Sequence, residues 1–133
     1  MKPGDQLPPW ELPITPTLVV STAIATRDFQ DVHHDRDLAQ SYGSKDIFLN
    51  ILTTNGLVER YVTDALGHRL DISSIGIRLG APAHPYDTLR FTGEVASVEG
   101  EQVVVAVRGA VTAGDHVTGT VVLRQARHGA VRR

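Results

Sequence analysis

The hydrophobic positions of this chain change period along its length, and the changes divide it into segments. Leu18 to Ala25 is an unbroken run of apolar and small residues rich in β-branched side chains, which predicts a short strand buried on both faces. Further on the period becomes helical. Ile47, Ile51, Val58, Tyr61, Val62, Ala65 and Leu66 recur at three- and four-residue intervals, and Gly67 stands where such a helix would end. A long helix is therefore expected from about Phe48 to Leu66. Beyond it the period is two. Leu70 and Ile72 alternate, then Ile75, Ile77 and Leu79 alternate in the opposite phase, which places a bulge at Ser73-Ser74. Leu89, Phe91, Gly93 and Val95 make another strand and Val103 to Val111 a β-branched one. Val117, Gly119, Val121 and Leu123 make the last, with Gly114-Asp115 as the turn before it. Between the first run and the long helix, Asp35 can cap a short helix, Arg36 to Tyr42, that Gly43 would end. The order strand, helix, then about four antiparallel strands predicts an α+β domain, with one long helix packed on a curled sheet.

At 133 residues the chain has the size of a single domain. Composition adds detail at its ends. Residues 1–16 hold five of the seven prolines (Pro3, Pro8, Pro9, Pro13 and Pro16), which predicts an extended arm with Trp10 as its anchor. Residues 126–133 are basic and are expected to fray. A formal charge of −2 leaves no basic field to attract nucleic acid or an anionic membrane. With no cysteine, disulfides, thiolate catalysis and a Cys-type zinc site are excluded. The longest apolar run, Val103 to Val107, is far too short to span a bilayer, and the N-terminus lacks the apolar core of a signal peptide. The cytoplasm is the expected location.

Candidate chemistry concentrates in Asp28-Phe29-Gln30-Asp31-Val32-His33-His34-Asp35, where carboxylates and two imidazoles fall within eight residues. A carboxylate and an imidazole held together at the end of a strand, as here after Leu18 to Ala25, can move protons to and from a substrate near neutral pH. Plainer readings stand beside this one. Asp35 is most simply a helix N-cap, His34 a surface or supporting residue, and Asp31 a turn former. Many strand ends carry an Asp and a His without chemical purpose.

Context favours the chemical reading. Asp28, His33 and Asp35 are spaced D-x-x-x-x-H-x-D, followed by a short helix, a glycine and a long apolar helix. This resembles the signature of the MaoC-like, (R)-specific enoyl-CoA hydratases, which have the hotdog fold. Within that family the likeness is strongest to the small subunits of actinobacterial steroid side-chain enoyl-CoA hydratases. It is carried by Ser21 to Asp37, Gly43 to Phe48, Gly56-Leu57-Val58 and Arg60 to Asp64. The resemblance implies that Asp28 and His33 hold the water that adds across an enoyl double bond. It also implies that a backbone N–H at the start of the long helix, that of Ile51 beside Asn50, receives the thioester oxygen, and that Gln30 and Asp35 support the site. The absence of cysteine, of a Gly-rich dinucleotide loop and of a complete ligand set predicts that no metal and no redox cofactor is needed, coenzyme A being part of the substrate. The implied partner is a larger MaoC-like hotdog subunit, in a heterotetramer of two small and two large chains. The chain departs from the common family pattern in having Gln30-Asp31 where Asn-Pro is usual, and Asn50-Ile51 where His-Gly is usual.

Four other readings compete. A hotdog acyl-CoA thioesterase would need a carboxylate on or beside the long helix, where Asp46 and Glu59 are the candidates. A homodimeric hydratase of straight-chain enoyl-CoA would need no second kind of subunit, and a purely structural subunit would have no use for both Asp28 and His33. Metal binding through His33, His34 and Asp35 is the weakest reading, because neighbouring side chains of an extended segment point to opposite faces.

Overall fold

Asn50 ends an extended stretch and starts the central helix. Its side-chain oxygen accepts the Thr53 N–H at 2.9 Å, and its own backbone is extended. The helix, α3 (Ile51–Leu66), runs to Gly67, whose φ of 77° is the left-handed conformation that glycine adopts without strain. The computed structural model describes residues 1–67 and 69–125. The tail expected at 126–133 lies outside the described residues.

Among the described residues, five strands form one antiparallel sheet around α3. They are β1 (Gln6–Pro13), β2 (Leu70–Leu79), β3 (Thr88–Glu99), β4 (Gln102–Val111) and β5 (Gly114–Gln125), in the spatial order β1-β3-β4-β5-β2. The helix touches β1 and β2, the two outer strands, so the sheet curls about it in the hotdog arrangement. The two-residue period explains the core. Leu89, Phe91 and Val95 of β3, Val103, Val105 and Val107 of β4, and Val117, Val121 and Leu123 of β5 are buried with Val58, Tyr61 and Val62 of α3. Each such side chain contributes about 1.5–3 kcal/mol by leaving water. Close approach to the helix requires a glycine at residue 93, where a Cβ would lie 3.2 Å from both Tyr61 and Leu7. The expected bulge is present, with the β2–β5 register shifting between Ile72 and Ser74.

Several expectations are corrected. Leu18 to Ala25 is not a strand but the body of a helix, α1 (Pro16–Ala25). Thr15 caps it by accepting the Leu18 N–H at 3.0 Å, and Pro16 occupies its first turn, where a missing N–H costs nothing. Within the extended arm expected over residues 1–16, part of the chain is built into the sheet. Gln6–Pro13 is the edge strand β1, paired with β3, and its register shifts between Leu7 and Trp10, at Pro8-Pro9. Trp10 does anchor it, stacked on Phe91 at 5.4 Å. The long helix begins at Ile51 rather than Phe48. The turn before β5 is Thr112-Ala113, Gly114 being already the first residue of the strand. The short helix is as expected: α2 (Arg36–Ser41) is capped by Asp35, with Gly43 at a φ of 94° just beyond.

Candidate active site

The chain leaves α1 through a tight C-terminal turn. The Arg27 N–H donates to the Ile24 carbonyl at 2.9 Å and the Asp28 N–H to the Ala23 carbonyl at 2.8 Å, the paired bonds of a Schellman motif. Arg27 takes the left-handed position, with a φ of 56°. This turn delivers Asp28 directly off a helix end, not off a strand end as the sequence suggested.

A 3₁₀ turn, Asp31–His33, then brings His33 back to face Asp28. The His34 Nε2–H donates to the Asp28 carbonyl oxygen at 2.6 Å and closes this loop on itself. His33 is 6% exposed and its Nε2 lies 3.4 Å from Asp28 Oδ2. Its Nδ1 is 2.7 Å from the Phe48 carbonyl oxygen. A carbonyl only accepts, so Nδ1 carries the proton and Nε2 is turned toward Asp28. The Asp28 side chain is 20% exposed, so within the pair the carboxylate is the side open to a small molecule.

Asn50 joins this pair to α3. Its Nδ2 donates to Asp28 Oδ2 at 3.1 Å and to Thr26 Oγ1 at 2.8 Å while its oxygen caps the helix. Asp28 Oδ1 accepts the Gln30 backbone N–H at 3.2 Å. Partial burial by itself raises the Asp28 pKa. The Asn50 amide, the Gln30 N–H and the nearby His33 and His34 outweigh it, and the carboxyl is held below its ordinary value. It is therefore ionised at neutral pH. Ile51 is the first residue of α3, so its N–H has no intrahelical acceptor, and the positive end of the helix dipole coincides with it.

The structure thus brings Asp28, His33, Asn50 and the Ile51 N–H to one place. It also places the two supporting candidates. Gln30 acts through its backbone N–H, its side chain being part of an exposed residue. Asp35 accepts the Leu38 N–H at 3.1 Å and is the cap of α2. Asn50, expected beside the thioester, holds the Asp28 carboxylate. Thr26 and the Phe48 carbonyl were not found by sequence reasoning. An Asn before a helical pattern is a recognisable cap signal, whereas nothing in a sequence marks one carbonyl among many. The alternatives lose ground. Asp46 accepts the Ile47 N–H at 2.8 Å, and Glu59 is exposed. His33, His34 and Asp35 each face a different partner, and among the described residues no group of three side chains is placed to hold a metal. Among those residues no helix is long and apolar enough to cross a membrane.

No protein-family model matches the chain. The 3-oxo-4,17-pregnadiene-20-carboxyl-CoA hydratase beta subunit of Mycobacterium tuberculosis is 59% identical over 120 residues, which cover 90% of this chain and 93% of the relative. A chain in the crystal structure of the ChsH1-ChsH2 complex from Mycobacterium tuberculosis superposes with a TM-score of 0.91 at 57% identity, over 93% of this chain and 98% of that one. The (R)-hydratase from A. caviae shares the fold with a TM-score of 0.86 at 16% identity, over 95% of this chain and 98% of that one. With a relative this similar over nearly its whole length, the chain belongs to the family of the 3-oxo-4,17-pregnadiene-20-carboxyl-CoA hydratase beta subunits.

Proposed function

We propose that this chain is the catalytic small subunit of an enoyl-CoA hydratase that adds water across the α,β double bond of a steroid side-chain acyl-CoA. The observation that carries the reading is the convergence of Asp28 and His33 on the N-terminus of α3. The substrate class is supported by the printed activity of the 59% identical relative. A water shared between the ionised Asp28 and the His33 Nε2 gives one proton to the pair as its oxygen bonds to the β-carbon. The same pair then supplies a proton to the α-carbon, so water is consumed and the pair is restored. Negative charge moves to the thioester oxygen in between, and the Ile51 N–H is positioned to receive it. General acid–base catalysis of this kind is worth about 10²–10⁴-fold, and an oxyanion donor about 10²–10³-fold. No step requires a metal or a redox cofactor.

The chain works in this reading with a larger MaoC-like hotdog subunit, two small and two large chains together, and in the cytoplasm, where a CoA ester would reach it. The ChsH1-ChsH2 complex supports the pairing, since one of its chains is the 57% identical neighbour. A bulky steroid group needs more room than one hotdog sheet encloses around its own helix, and the partner supplies it. The test is hydration of a steroid enoyl-CoA by the co-purified complex, read as loss of enoyl absorbance, before and after dialysis against a chelator. Asp28→Asn and His33→Ala are each expected to lower turnover at least about 10²-fold with the complex intact. Near-normal hydration by either variant removes that residue from the mechanism. Thiol release in place of hydration gives the thioesterase. Full activity of the isolated chain on straight-chain enoyl-CoA gives the homodimer, and activity lost to the chelator and restored by zinc overturns the metal-free reading.

A further inference from the structure

Residues 46–50 form a strap that crosses from the end of α2 to the start of α3, and its backbone groups are tied down one after another. The Ile47 N–H donates to Asp46 Oδ1 at 2.8 Å, the Phe48 N–H to the Val32 carbonyl at 3.2 Å, and the Leu49 N–H to the Ala83 carbonyl at 3.1 Å. Two consecutive carbonyls are held by two different imidazoles. His33 Nδ1–H takes that of Phe48 at 2.7 Å, and His84 Nδ1–H takes that of Ile47 at 3.0 Å. The Phe48 ring stands edge-to-face with both, its centroid 5.0 Å from His33 and 6.2 Å from His84.

His84 is itself fixed. It begins a turn in the loop between β2 and β3, His84-Pro85-Tyr86-Asp87. The Asp87 N–H donates to the His84 carbonyl at 3.1 Å, and the His84 N–H donates to Asp87 Oδ2 at 2.9 Å. Asp87 is tied to the buried Ile14 in turn, its carbonyl accepting the Ile14 N–H at 2.8 Å. The sheet therefore grips the strap from one side as the Asp28–His33 loop grips it from the other. His84 donates from Nδ1 whether its ring is neutral or charged, so the grip does not depend on its protonation.

We propose that His84 is a positioning residue for the hydration reaction: by fixing the strap at Ile47 it sets the Phe48 carbonyl and ring that orient His33 toward Asp28. The inference rests on the reading of His33 as part of the reacting pair. Losing the grip lets the Phe48 carbonyl drift, and the His33 Nδ1–H then has no single acceptor to fix its ring and tautomer. Misplacement of a catalytic group by about 1 Å costs up to about 10²-fold.

The test compares complexes that carry His84→Ala, His84→Asn, His33→Ala and Val105→Ala in the small chain. Asn keeps a donor at the Nδ1 position. Val105, buried in β4, serves as a destabilised control away from the strap. Steady-state hydration is read together with the imidazole N–H signal of His33 in complexes labelled with ¹⁵N-histidine, assigned by its absence in His33→Ala. His84→Ala is expected to lower kcat about 10- to 10²-fold with KM within about twofold, and to broaden or shift the His33 Nδ1–H signal. His84→Asn should restore both, and Val105→Ala should leave the signal in place. His84→Ala with wild-type kcat and an unmoved signal, beside an inactive His33→Ala, overturns the positioning role and leaves the proposed function standing. So does a loss that Asn fails to rescue or that Val105→Ala reproduces in both readouts. If His33→Ala hydrates normally, the proposed function fails instead, whatever His84 does.

Discussion

Asn50 performs two tasks with one amide, and each of its atoms can be tested separately. Its oxygen caps α3, its nitrogen holds the Asp28 carboxylate, and aspartate can take over only the first. Asn50→Asp should leave the thermal midpoint within a few degrees of wild type. The new carboxylate beside Asp28 should raise the Asp28 pKa, shift the acid limb of the rate profile upward and lower turnover at neutral pH about 10-fold or more. Asn50→Ala should lose the cap as well, costing roughly 1 kcal/mol in denaturant unfolding. His116 makes a second prediction. It is 2% exposed, with Nδ1 2.8 Å from the Ala81 carbonyl oxygen and Nε2 2.8 Å from the Thr54 hydroxyl. Burial pushes its pKa below the ordinary 6.5, against the raising effects of the Ala81 carbonyl and Asp87. Between 6.5 and the lower folded value, the unfolded chain takes up a proton that the folded chain refuses. Its contribution to stability is therefore complete above 6.5 and is lost as pH falls, by at most about 1.4 kcal/mol per pH unit. His116→Gln should flatten that slope in unfolding measured from pH 7.5 to 5.

At the scale of elements, the sequence was legible wherever period and cap agreed. The three central strands, the Ile72–Ser74 bulge, α2 with its Asp35 cap and the end of α3 at Gly67 all follow from such agreement. Two elements at the N-terminus were misread for opposite reasons. In α1 the run from Leu18 to Ala25 has no polar face, and its β-branched residues favoured a strand. Thr15-Pro16, an N-cap followed by a proline in the first turn, was the signal that outranked propensity. In β1 the prolines at 8, 9 and 13 argued against a strand, yet an edge strand with a register shift accommodates them. The Asp28–His33 pair was visible as spacing, but not the helix end that presents it or the Phe48 carbonyl that orients it. The helix end was hidden with α1 itself, whereas the Phe48 carbonyl and the Asn50 amide reach His33 and Asp28 across 15 and 22 positions, which no local pattern encodes. Thr15→Ala tests the α1 cap directly. It should cost roughly 1 kcal/mol in denaturant unfolding.

Across the whole molecule, apolar surface is left uncovered around the candidate site. Ile24, Phe29, Leu38, Tyr42, Ile51 and Leu52 are each more than two-fifths exposed, and they come from the end of α1, the loop after it, α2 and its C-cap, and the first turn of α3. In the proposed complex, segments 24–29 and 50–53 should exchange their amide hydrogens more slowly than in the isolated chain, as read by mass spectrometry; unchanged exchange would show that the partner sits elsewhere. The two margins of the sheet also differ. The outer strand β1 carries Pro8, Pro9 and Pro13, three positions with no N–H to offer a neighbour, and shifts register at the first two. The other outer strand, β2, contains no proline over its ten residues. One margin is thus stopped and the other receptive, which gives the sheet a valence of one. A molecule of valence one can make a closed pair but cannot propagate into a fibre, so the prolines that disguise β1 in the sequence also act as a terminator of growth.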